Sequence, residues 1–153
     1  MAIRTATMQD IEPLRRLYTE LEKDAVMYQP EHFVMGYRDD GFFKRIMESD
    51  TQELLVAECE SGVIGFCHIM MHRTGNVSCL KEQTYAYIQD LVVAPENRNG
   101  GIGTALMDAS QAYAKAHGAE FIRLSVFPGN QAGLRFYERN GFREMMKTLE
   151  CPL

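Results

Sequence analysis

Proline is scarce in this chain, at 5 positions, and no stretch of proline, serine or like charge divides the sequence into parts. That excludes a linker or a disordered segment, which need such composition. There is no internal repeat. Cys59, Cys67, Cys79 and Cys151 lack a CxxC spacing, so they read as reduced thiols rather than as zinc ligands or a redox pair. His68 and His72 lie four residues apart, roughly 13 Å along a strand, too far to share one ion. Both are assigned structural roles, and no metal site is expected. Positive charge is in deficit, with 16 Lys and Arg against 21 Asp and Glu and a net charge of -5. Nucleic acid and anionic membranes, which need a broad basic surface, are therefore not expected partners, and cationic substrates are favoured. A long apolar run is missing too. The best one, residues 63–71, is broken by Gly65 and His68, and residues 1–6 lack the apolar core of a signal peptide. A cytoplasmic protein is expected.

What is present fits one compact core. At 153 residues and 46% hydrophobic content, residues 1–153 are expected to form a single domain. Residues 2–6 read as a strand. Thr7 and Asp10 then form a capping-box-like start to a helix bearing Ile11, Leu14, Leu17, Tyr18 and Leu21 at helical spacing, ending near residues 23–26. A short helix follows over residues 40–48. Residues 53–60 and 63–72 are β-rich and flank Ser61-Gly62, the signal of a hairpin. Residues 85–93 read as a central strand stopping before Pro95. A helix over 101–117, a strand over 121–127, a helix over 130–139 and a last strand over 142–149 complete the order.

The most informative stretch, Pro95-Glu96-Asn97-Arg98-Asn99-Gly100-Gly101-Ile102-Gly103-Thr104, joins a strand to a helix through three glycines. Glycines let main-chain amides approach a phosphate, and the positive end of the helix dipole adds attraction. A Walker A loop is excluded, because Thr104-Ala105 stands where Lys and Ser or Thr would follow the last glycine. A dinucleotide fingerprint also fails. Leu106 stands where it needs a small residue, and Val126 or Phe127 where the next strand needs an acid. Three glycines plus Arg98 exceed what a simple turn requires.

Arg98-Asn99-Gly100-Gly101-Ile102-Gly103 resembles the Arg/Gln-x-x-Gly-x-Gly/Ala signature of the GNAT family of N-acetyltransferases, and residues 130–142 resemble that family's second conserved block. The element order agrees along the chain. The resemblance implies an α/β (α+β) fold: a mixed, mostly antiparallel twisted sheet, splayed at two parallel strands and flanked by about four helices. It further implies acetyl-CoA as cosubstrate, with its pantetheine arm on the main chain of Leu91 and Val93 and its pyrophosphate on the amides of Arg98, Asn99, Gly100, Gly101, Ile102, Gly103 and Thr104. Asn130 matches a cofactor-contacting position and equally suits an N-cap. Tyr137 matches the position from which a tyrosine hydroxyl protonates the departing thiolate, against the alternative of a core aromatic beside Phe136.

Transfer from a thioester to an amine needs no metal, but it needs a neutral amine. A lysine-like amine of pKa about 10.4 is roughly 0.1% deprotonated near pH 7.4, a deficit of about 4 kcal/mol if no base helps. Many family members place a Glu in the central strand for this, and Gln89 stands there instead. Three readings stay open: Asp90 is the base after a bulge redirects it, water carries the proton, or Asp90 is structural. The acceptor, a small-molecule amine or a protein or peptide amine, is expected to enter past residues 28–36 and 73–83. There Tyr28, Phe33, Tyr37, Glu31 and Asp39 are candidates to line a pocket. A non-catalytic acyl-CoA-binding module is the alternative from another class, and self-association as a homodimer is left open.

Overall fold

The strands alternate, and both of their faces are apolar. In the computed structural model, which describes residues 1–153, β2 (Gln52–Cys59) and β3 (Gly62–Arg73) turn Leu54, Val56 and Phe66 to one side of the sheet and Leu55, Cys67 and Ile69 to the other. A sheet apolar on both faces needs cover on both. α1 (Ile11–Tyr28) and α2 (Asp40–Met47) supply it on one face through Leu14, Leu17, Tyr18, Phe43 and Ile46. α3 (Ile102–Ala116) supplies it on the other through Ile102, Leu106, Met107 and Ala114. α4 (Gln131–Arg139) buries no residue fully, and only Phe136 and Tyr137 lean on that second core.

The sheet runs β1-β2-β3-β4-β5, where β1 is Ala2–Thr5, β4 is Thr84–Val93 and β5 is Ile122–Leu124. Neighbours are antiparallel except β4 and β5, which are parallel. The start of α1 is fixed electrostatically. The amide of Thr7 donates to Asp10 Oδ2 at 2.8 Å, and Arg4 spans Asp10 and Glu58 at 2.8 and 2.9 Å. The guanidinium holds the Asp10 carboxyl below the usual carboxylate range. No helix is long and apolar enough to cross a membrane.

Three sequence expectations shift. α1 continues to Tyr28, beyond residues 23–26. The strand expected over 121–127 pairs only at Ile122–Leu124. The strand expected over 142–149 is not formed: past α4 the chain pairs with no other strand, and Met145, Met146 and Leu149 are exposed. A strand exists only through a neighbour, and the three residues of β5 offer too short an edge to hold one. Phe142 packs back on the second core, and farther along His32 Nε2 meets Glu150 at 2.8 Å.

Candidate active site

The glycine loop leaves its amides open. Asn99 has φ 64° and Gly101 φ 81°, so the chain turns twice through the left-handed region before α3 begins. Glycine is needed at 101, where a Cβ would be strained. No side chain caps α3, and the first helical amide to find a backbone acceptor is that of Ala105, bonded to the Gly101 carbonyl at 3.0 Å. The amides ahead of it converge at a helix start, the arrangement that binds anions. Gly103 also sets how closely α4 approaches α3, because a Cβ there would sit 3.4 Å from the Phe136 ring.

β4 carries a bulge, and its effect on phase is decisive. Its pairing with β3 slips between His68↔Asp90 and Ile69↔Ile88, so Gln89 is the extra residue. Before the bulge, Ala86 turns its amide to β5, bonding the Phe121 carbonyl at 3.0 Å. Just after β4, Ala94 turns its amide to β3, bonding the Ile64 carbonyl at 2.8 Å. Counting back by alternation, Leu91 and Val93 present their main chain on the β5 side. Nothing pairs with them there, because the β4–β5 ladder ends at Ile88↔Leu124. A hydrogen bond of 2.8 Å between the Tyr87 and Ser125 hydroxyls holds the strands together just before they part. Of the exposed groups in this gap, the Val93 carbonyl is met by Arg98 Nε at 3.1 Å.

The bulge also settles where Asp90 points. It lies on the α1 face, where Tyr18 donates its hydroxyl to Oδ2 at 3.0 Å, and its side chain keeps 15% of its exposure. Burial and the Asp90 charge push the Tyr18 hydroxyl far above the usual phenol range, so it stays a donor. His68 Nδ1 lies 3.7 Å from the same oxygen. Gln89 is exposed.

Tyr137 packs edge-on between Phe136 and Phe142, with ring centroids 5.4 and 5.8 Å away. Burial first, then the neighbouring Cys67 and Asp90, pushes its hydroxyl up to about 12, so it stays protonated at any ordinary pH. Asn130 is the N-cap of α4, its Oδ1 accepting from the Gly133 amide at 2.9 Å. A Cβ at Gly133 would come within 2.5 Å of the Asn130 side chain, so the pair works as a unit.

The profile of the acetyltransferase (GNAT) family matches residues 11–142. The chain belongs to that family. It is 29% identical to an uncharacterised N-acetyltransferase of Methanocaldococcus jannaschii over 93% of its own length, and spans 60% of that relative. It is 28% identical to the aminoalkylphosphonate N-acetyltransferase of Salmonella typhimurium over 93% of this chain and 84% of the other. A crystal structure of a mutant BH1408 protein from Bacillus halodurans superposes over 100% of this chain and 99% of its own, with TM-score 0.95 and 29% identity. The aminoglycoside N-acetyltransferase AAC(6')-Iy in complex with CoA, at 17% identity and TM-score 0.75 over 99% of this chain and 98% of its own, shares the fold. The family membership makes this chain an acyltransferase of the GNAT kind that acts on an amine.

In this GNAT chain the residues foreseen around the acceptor are partly drawn into other work. Asp39 caps α2, accepting from the Phe42 amide at 2.8 Å. Tyr28 and Phe33 pack on Phe127 at 5.8 and 5.6 Å, joining the loop after α1 to the loop after β5. Tyr37 lies under Arg15 at 4.9 Å. Between α1 and the segment before α2 is a recess of about 120 Å³, bordered by Tyr18, Glu22, Tyr37 and Arg38. The sequence singles out none of Tyr18, Glu22, Arg38 and Gln52 for a site, and it assigns His68 a structural role. Helical spacing makes Tyr18 look like core, and the register of β3 against β4 is what brings His68 to Asp90.

Proposed function

We propose that this chain transfers the acetyl group of acetyl-CoA to a primary amine by direct attack within a ternary complex, and that the acceptor is a small molecule. The observation that carries the proposal is the bulge at Gln89. One inserted residue turns the main chain of Leu91 and Val93 into the gap beside β5 and sends the Asp90 carboxylate to the opposite, α1 face. An extended pantetheine arm can then hydrogen-bond in the gap as an added strand would. Its pyrophosphate would lie along residues 98–104, where the amides past Arg98 are open, and the Nδ2 of Asn130 is free to meet it. Arg98 would release Val93 to do so, since its bond there is exposed.

The chemistry then needs few groups. The acceptor's ammonium gives one proton to Asp90, and the free amine attacks the thioester carbon. As the C–N bond forms and the C–S bond breaks, the thiolate takes a proton from Tyr137. The second amine proton restores the tyrosine hydroxyl, leaving an amide and CoA. A small acceptor is favoured by the recess of only about 120 Å³ bordered by Tyr18 and Arg38, and by the small-molecule amine named for the Salmonella relative.

Thermal unfolding tests the cosubstrate. CoA and acetyl-CoA should raise Tm, as any ligand specific for the folded state does, and NADH should do much less. Absence of a CoA preference at saturation would remove the cosubstrate assignment. Mass spectrometry of amine pools and peptides incubated with labelled acetyl-CoA then identifies the acceptor class. Acetylated peptides without acetylated small amines would replace the acceptor proposed here.

A further inference from the structure

Behind Asp90 stands a buried base that the reaction above does not use. His68 lies opposite Asp90 in the β3–β4 register, with 6% of its side chain exposed. Its Nε2 is 2.8 Å from Oε1 of Gln52 on β2. An amide oxygen only accepts, so Nε2 carries the hydrogen, and in the neutral ring Nδ1 is bare. Nδ1 is buried without a hydrogen-bond partner and faces Asp90 Oδ2 at 3.7 Å. A lone pair and a carboxylate facing each other at this distance repel. A proton placed between them turns that repulsion into a hydrogen bond.

The groups around the pair leave a proton no other place to go. From α1, Tyr18 donates to the same carboxylate oxygen, and its hydroxyl is held protonated. From the segment before α2, the Arg38 guanidinium lies 4.1 Å above the Tyr18 ring, ion-paired with the Glu22 carboxylate of α1. From β2, Gln52 does not titrate. Beyond the sheet, burial holds Cys67 as a thiol, at about 12, and Tyr137 as a phenol.

Resting on the assignment of Asp90 as base, we propose that His68 is a positioning residue that holds the proton Asp90 takes from the acceptor amine, through Nδ1, with its tautomer set by Gln52. Asp90, once protonated, turns its O–H to Nδ1. Transfer breaks that O–H bond and forms an N–H bond, leaving an imidazolium against a carboxylate. The proton is lost to water after the product departs. Asp90 is thereby returned to its basic form while the site is still closed on the product.

Two measurements on the full chain test this. In protein labelled with ¹⁵N-histidine, NMR near neutral pH should show His68 as the Nε2–H tautomer with Nδ1 bare, and Nδ1 should gain the proton on acidification. A ring already protonated on both nitrogens, or protonated on Nδ1 alone, has no place for the proton and overturns the proposal. The second measurement uses His68→Asn, whose amide reaches the place of Nδ1 and can hold Asp90 but cannot take a proton. With ethanolamine as probe acceptor, it should keep KM and CoA affinity, lower kcat about tenfold at neutral pH and recover as pH rises toward the amine's own pKa. A purely structural His68 predicts a wild-type kcat and pH profile in His68→Asn, which would sink the proposal. Asp90→Asn, assayed beside it, separates the two assignments: an unchanged profile there means that Asp90 is not the base, whereas a changed profile there with none in His68→Asn rejects His68 alone. If His68→Asn does not fold, the NMR tautomer decides.

Discussion

The proposed cofactor side of this site rests on the main chain of one stretch, residues 98–104 with Leu91 and Val93, whereas the α1 side gathers side chains from four elements: Tyr18, Gln52, His68 and Asp90. A cosubstrate with a constant pyrophosphate and pantetheine can be held by amides, whose placement depends on glycine and on backbone phase. Moving one proton off an amine requires titratable groups at defined distances, which any strand or helix can contribute. If this division is correct, glycine changes should affect binding alone and carboxylate changes turnover alone.

Gly101→Val should have the largest effect. At φ 81° a β-branched residue is strained, and relief moves the amides that follow. CoA affinity by calorimetry should fall about 100-fold or more, while the circular dichroism spectrum is retained. Gly103→Val should differ, because its side chain presses on Phe136 and so should lower Tm in the absence of ligand as well. A folded Gly101→Val that binds CoA as the wild type does would break the comparison on the cofactor side.

Asp90→Asn comes next. Without a base, the free amine fraction limits the rate, so kcat near neutral pH should fall by up to about 10³-fold, with recovery as pH rises toward the amine pKa. CoA affinity should not change. Equal loss of binding and turnover would instead make Asp90 a support for the strand, since Tyr18 ties it to α1.

These two positions also show why one side was legible in the sequence and the other less so. Arg98 to Gly103 form a local motif, and the strand before it is a run of β-formers, so loop, strand and helix could be placed from residue types alone. Gln89-Asp90 pointed to a bulge by the missing glutamate, but its existence and hand depend on pairing with β3. His68, 22 positions away from Asp90, interrupts an apolar run and reads as structural until the register is known. The final strand failed for a related reason. Residues 142–149 have strand-like composition, yet composition does not supply a partner, and the extent of β5 follows from where β4 departs from it.

Tyr137→Phe should have a smaller effect, about 100-fold on kcat with acetyl-CoA affinity unchanged, because the ring that packs on Phe136 and Phe142 remains. Its hydroxyl is raised to about 12, so it is protonated across the whole working range and contributes no limb to the rate profile. The substitution should therefore lower the profile without changing its shape, in contrast to Asp90→Asn. A wild-type rate under conditions where chemistry limits would show that the thiolate departs unaided, as its modest basicity allows.

Gln89→Glu should do least. It restores the acid that many family members carry, but residue 89 is the exposed member of the bulge, and a carboxylate in water is screened and weakly coupled to its neighbours. Its charge beside Asp90 should raise the basicity of the pair, since one carboxylate makes ionisation of the next harder. The acid limb of the rate profile should thus move to higher pH by less than about one unit, with kcat near neutral pH changed by no more than about threefold. The informative measurement is the double variant with Asp90→Asn. If burial against Tyr18 and His68 is what makes Asp90 effective, a glutamate at 89 cannot replace it, and the double variant should stay as slow as Asp90→Asn alone. Recovery to within tenfold of the wild type would mean that any carboxylate near the bulge suffices, and that the side-chain cluster on the α1 face serves structure rather than proton transfer.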